Sequence, residues 1–171
     1  MISILLFSIA MAGGTGDQTT CPMHEQHMKA AHADVDARHD TFGMSHDTSH
    51  HNFRLLKDGG AIELRANDAN DTATVVVIRK HLREVEESFA KNDFSTPAFV
   101  HGHAPDGVAE MKRLARRIRY QYEDVDSGGR IRMTSTDPKA LAAIHDFMKF
   151  QVNEHRTTDS GEIEEDKPAS R

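Results

Sequence analysis

Phe53-Arg54-Leu55-Leu56-Lys57-Asp58-Gly59-Gly60-Ala61-Ile62-Glu63-Leu64-Arg65 carries the pattern of a β-hairpin. Residues 53–56 and 61–65 alternate as two strands, and Lys57-Asp58-Gly59-Gly60 between them carries the composition of a tight hairpin turn. Working outward, Asn67-Asp68-Ala69-Asn70-Asp71 offers several helix N-caps. Val75, Ile78, Leu82, Val85 and Phe89 then recur at helical spacing, so a helix is predicted despite the β-branched run Val75-Val76-Val77-Ile78.

The plan repeats 69 residues later, counted from Gly59 to Gly128. Ile118, Tyr120 and Tyr122 alternate, Asp126-Ser127-Gly128-Gly129 makes a turn, and Ile131 and Met133 alternate again. Asp137-Pro138 supplies an N-cap followed by proline at the first helical position, and Leu141, Ile144, Phe147, Met148 and Val152 form an apolar stripe. The matched pairs Gly59/Gly128, Gly60/Gly129, Ile62/Ile131, Leu64/Met133, Asp68/Asp137 and Val75/Ile144 suggest one ββα unit used twice. Coincidence is the competing reading, because hairpins and caps draw on the same few residue types. Residues 93–105 read as a loop, and Val108, Met111, Leu114, Ala115 and Ile118 mark a shorter helix. The expected fold is α+β: a four-stranded antiparallel sheet from two ββα units, helices on one face, spanning residues 52–157.

The chain has 171 residues and a net charge of −6, with one Cys and no Trp. That balance argues against nucleic acid as a partner, and the basic run Lys112 to Arg119 is short enough to be a solvated helix face. A single cysteine permits no internal disulfide. Residues 1–12 form an apolar run ending Ala10-Met11-Ala12, of signal-peptide length and too short to span a bilayer. Export to the periplasm or outside the cell is expected, without stable membrane insertion. Residues 158–171 are polar and acidic and read as a disordered tail.

The chemistry concentrates in residues 13–51. His24, His27, His32, His39, His46, His50 and His51 are seven of the chain's twelve histidines, and Cys21, Met23, Met28 and Met44 lie among them. Thr20 and Pro22 predict a helix start, and a helix from there to about Arg38 would place His24, His27, Met28, His32, Val35 and His39 within an arc of roughly 140°. Gly43 breaks that pattern, and residues 40–51 read as loop. Imidazole suits copper, zinc and nickel, while thiolate and thioether add a preference for Cu(I), so copper stands first and zinc second. Met44, His46, His50 and His51 sit just before the first strand, where a fold can hold a site still. His101 and His103 form a second candidate, since residues i and i+2 of an extended segment project to one side. His81 reads as packing. His155, near a helix C-terminus, reads as structural.

Cys21-Pro22-Met23-His24 resembles the opening of the small heavy-metal-binding domain of copper-transport proteins, which implies Cys21, Met23 and His24 as ligands. Glu25 stands where that family has proline, and its Cys-x-x-Cys-Gly-Met element is absent. Residues 43–159 resemble a set of small, uncharacterised, usually exported bacterial proteins through Gly43-Met44-Ser45-His46, Thr48-x-His50-His51-x-Phe53, Asp58-Gly59-Gly60 and Phe147-Met148-Lys149-Phe150-Gln151. That resemblance implies a domain boundary and no activity.

No nucleophile elbow, phosphate-binding glycine loop or His-Glu-x-x-His motif is present. The leading expectation is an exported soft-metal-binding protein for sequestration, delivery or sensing. One alternative is a non-catalytic interaction domain, with another protein as partner and an exposed polar arm. Another is a metal-dependent enzyme using His46, His50 and His51 with His101 and His103.

Overall fold

Six strand and helix segments follow from the doubled ββα pattern, and a computed structural model describing residues 35 and 37–166 shows how they meet. β1 (Ser49–Leu56) and β2 (Gly59–Ala66) form the first hairpin, followed by α1 (Thr72–Ala90). Asp71 caps α1, its side chain accepting from the Thr74 N–H, so the capping aspartate is Asp71 and not Asp68. Two short helices, α2 (Ser95–His101) and α3 (Val108–Arg113), bridge to β3 (Arg119–Val125), β4 (Gly128–Thr134) and α4 (Pro138–Glu154). Asp137 caps α4 through the Lys139 and Ala140 N–H groups, with Pro138 in the first turn. The predicted loop over 93–105 contains α2: Asp93 accepts from the Ser95 N–H, and Pro97, Val100 and His101 are buried by tertiary packing that the polar segment's composition does not reveal.

The fold is α+β, but the sheet has five strands in the order β3-β4-β2-β1-β5 and is mixed, which corrects the expected four antiparallel strands. The fifth, β5 (Ile163–Glu164), runs parallel to β1 and comes from the segment expected to be a disordered tail. The physical reason lies on the sheet's outer face. There β1 and β4 carry Arg54, Arg130 and Arg132, the last two buried, and a guanidinium cannot shed its charge. Asp166 lies 3.3 Å from Arg130 and 3.1 Å from Arg132, and Glu164 lies 3.2 Å from Arg54. Asp159 accepts from the Asn52 side chain and from the Phe53 N–H. The acidic segment that reads as disorder in isolation joins Glu123 and Asp58 in pairing with a row of three arginines, two of them buried.

The inner face carries Phe53, Leu55, Ile62, Leu64, Ile131 and Met133, all buried. α4 packs over β1 and β2, and α1 packs over β3 and β4, so each unit's helix covers the other unit's hairpin. The pairing of β2 with β4 explains why. Ile62 lies opposite Ile131, its own counterpart in the repeat, and the pair Gly60↔Met133 is matched by Leu64↔Gly129. The units are therefore related by a pseudo-twofold between the two isoleucines. The glycines that open β2 and β4 obey it too. A Cβ on Gly59 would stand 1.7 Å from the Met133 carbonyl oxygen, and one on Gly128 would stand 1.9 Å from that of Leu64. Close backbone approach at the sheet centre requires glycine at both positions.

β1 begins at Ser49, earlier than the predicted strand, so His50 and His51 belong to the sheet. Met44 is 1% exposed and packs in the core. No helix among the described residues is long and apolar enough to cross a membrane.

Candidate metal centre

Strand alternation sends His51 to the inner face of β1 with Phe53, while His50 points outward. Around His51 the chain brings two further imidazoles. His39 closes a helical turn over residues 37–40, which ends at Gly43 with φ 75°. The Phe42 N–H donates to the His39 carbonyl at 3.0 Å, and Arg38 Nη1 donates to the Val100 carbonyl at 3.1 Å, fixing this turn against α2. His155 is the C-cap of α4, its N–H donating to the Gln151 carbonyl. The ring centroids of His39 and His51 are 4.4 Å apart, those of His51 and His155 5.0 Å, and those of His39 and His155 5.5 Å. One ring nitrogen from each can be chosen so that all three lie within 4.8 Å of one another.

A tetrahedral zinc or copper ion bound at about 2.0–2.1 Å needs its nitrogens roughly 3.4 Å apart. The three rings must therefore draw in slightly, a movement that side-chain torsions can supply. Burial pushes the His51 imidazole well below its ordinary pKa, with His39, His155, His46 and His81 opposing a positive charge there. Burial likewise lowers His39, to about 4, with His81, His46 and His101 adding to it. Both rings are neutral at physiological pH and keep an available lone pair. His51 Nδ1 is buried and has no hydrogen-bond partner among the described residues. A buried nitrogen left this way is expensive unless something else binds it.

Two spaces meet at the triad. One is a cleft of about 230 Å³ lined by His46, His50, His51, Asn52, His155 and Arg156–Thr158. The other is a smaller cavity of about 60 Å³, walled by the three imidazole rings, apolar side chains including Phe53, Val85 and Phe147, and the polar groups of His81, His101 and Gln151. His81, expected as packing, is a wall residue against Phe42, and burial lowers it to about 4. In the same cavity wall, His101 Nε2–H donates to Gln151 Oε1 at 3.1 Å, and His101 Nδ1 lies 3.9 Å from Glu154.

Of the residues expected as ligands, His51 is in the triad. Exposed His46 stands beside it, 6.4 Å from His51 and 6.5 Å from His39. Buried His101 lies behind it, 5.0 Å from His155. His50 is turned away, its Nδ1–H donating to Asn67 Oδ1 at 2.7 Å, while Asn67 ties down the His46 and Asp47 carbonyls. His103 is exposed and donates to the Ala104 carbonyl, so it and His101 do not converge. Cys21, Met23, His24, His27, Met28 and His32 lie outside the described residues.

Sequence reasoning left His39 out of the ligand set and read His155 as structural. It also passed over Gln151. One signal was present: aligned through the repeat, His51 falls on Tyr120 and Gln151 on Leu82, so two polar groups occupy positions that the other unit fills with packing residues. The strand registers agree, since His51 pairs with Leu64 and Tyr120 with Met133.

No family model matches the chain, and no curated protein or solved structure matches it either.

Proposed function

We propose that this chain binds one transition-metal ion, zinc or copper, through His39, His51 and His155, and that it serves to hold or pass on that ion. The observation that carries the reading is the convergence of three imidazoles, one buried and two partly buried, within 4.8 Å, with His39 and His51 held neutral chiefly by desolvation. A neutral imidazole set of this kind selects zinc, copper, iron or nickel over magnesium or calcium. The thiol and thioethers of Cys21, Met23 and Met28 would shift the preference toward Cu(I) if they joined the site, so copper and zinc both remain in the reading. The larger cleft, with His46 in its lining, is the natural entry. Residues 1–12 support export, and the histidines of the preceding arm suit loose capture before transfer to the triad.

The test is a competition titration of the full chain with Zn(II), Cu(II) and Cu(I), beside His39→Ala, His51→Ala and His155→Ala. Each substitution is expected to lower the affinity of one equivalent by more than the roughly 10–100-fold that loss of a supporting partner costs. Unchanged stoichiometry and affinity in all three variants would rule out this site.

A further inference from the structure

Gln151 is 4% exposed, and its Nε2 has no hydrogen-bond partner among the described residues. It lies one helical turn before His155 on the same face of α4 and lines the cavity of about 60 Å³ that His39, His51 and His155 also line. Its Oε1 is already engaged by His101, so the amide N–H groups are what it presents. A buried donor without an acceptor, beside a three-nitrogen site, points to a ligand that carries the acceptor.

Charge says what kind of ligand. Three neutral imidazoles leave a divalent ion with its full double charge. No carboxylate lines the smaller cavity among the described residues. A charge held partly away from water favours a compensating anion. The cavity of about 60 Å³ beside the triad has room for a ligand of a few heavy atoms.

Resting on the metal reading above, we propose that the ion keeps its fourth position open toward the cavity that Gln151 lines, and that this position takes a small monovalent anion which accepts a hydrogen bond from Gln151. One lone pair of the anion replaces one bound water on the metal, and no bond within the anion breaks. Three protein ligands leave a fourth position that an exchangeable ligand can take, whereas a structural site fills all four with protein atoms. The ligand class is a small organic monoanion such as a short carboxylate or a thiolate, with its apolar part against Phe53, Val85 and Phe147.

The experiment loads the full chain with one equivalent of Co(II), whose visible bands report coordination, and titrates it with sodium azide in chloride-free buffer. Azide is expected to produce a saturable spectral change. Gln151→Leu is expected to weaken azide about tenfold, the loss of one hydrogen bond to a charged group, while Co(II) affinity stays within about threefold. Gln151→Glu, nearly the same size, supplies its own carboxylate and is expected to abolish the azide response with Co(II) still bound. Cobalt bands that survive His51→Ala would place the ion elsewhere and sink the metal reading together with this one. Bands that require His51 but ignore azide, or an azide affinity equal in wild type and Gln151→Leu, would overturn this inference alone.

Discussion

The two ends of the sheet are built on one plan and filled differently. At the β3 end, Tyr120 occupies the inner-face position of the repeat and meets Phe89 and Phe94, with ring centroids 5.8 and 6.5 Å away, while Phe89 and Phe94 stack at 4.6 Å. At the β1 end the same position is His51, and the rings around it are His39 and His155 beside a cavity. The backbone frame does not need the second arrangement, because the first end is closed by packing alone. Histidines at an equivalent corner are thus an addition to the frame, and buried imidazoles that give up their charge are stable there only because they are neutral.

Acid should separate the two corners most strongly. His39 and His81 are lowered to about 4 and His51 lies well below its ordinary value, all chiefly through burial. Between pH 6.5 and about 4 the unfolded chain therefore binds more protons than the folded one. Metal-free protein is expected to be most stable above pH 6.5 and to lose stability as pH falls, by up to about 1.4 kcal/mol per pH unit for each such histidine. Urea midpoints measured across that range check the slope. His51→Phe, which makes the β1 corner as aromatic as its counterpart, should flatten it. Tyr120→Phe at the other corner should leave it unchanged, since burial moves the tyrosine further from that range. An equal slope in wild type and His51→Phe would show that the corners do not differ in this way.

The shared frame can be broken at its centre. Gly59→Ala and Gly128→Ala each drive a methyl group into the carbonyl of the opposite hairpin, and each should cost about 3 kcal/mol or more. Similar losses are expected from both, because they are counterparts; a tolerated alanine at one would refute the pseudo-twofold frame. Smallest are the caps. Asp71→Ala and Asp137→Ala remove the side-chain acceptors at the starts of α1 and α4, and each should cost about 1 kcal/mol in thermal or denaturant unfolding.

Much of this frame was legible in the chain. Alternation, turn glycines and the cap before Pro138 are local signals, and they place both hairpins and both long helices. The residues of β5 could not be read the same way. Their acidic composition is uninformative until Arg54, Arg130 and Arg132 are known to share one face of the sheet, and that follows from strand register. The site was legible in part. Clustering pointed to His46, His50 and His51, but only His51 faces inward, and sequence neighbours on a strand cannot share a face.

The α+β frame, its doubled ββα plan and a region unusually rich in imidazole can be read along the chain, because periodicity, turn chemistry and composition are properties of neighbouring residues. Which imidazoles converge depends on long-range packing. His39, His51 and His155 come from a turn, a strand and a helix end more than a hundred residues apart in the extreme. They meet because the pseudo-twofold lays α4 of the second unit across β1 of the first, which brings the end of that helix to the strand bearing His51. Distances of that kind are set by packing between distant segments, and no local pattern encodes them.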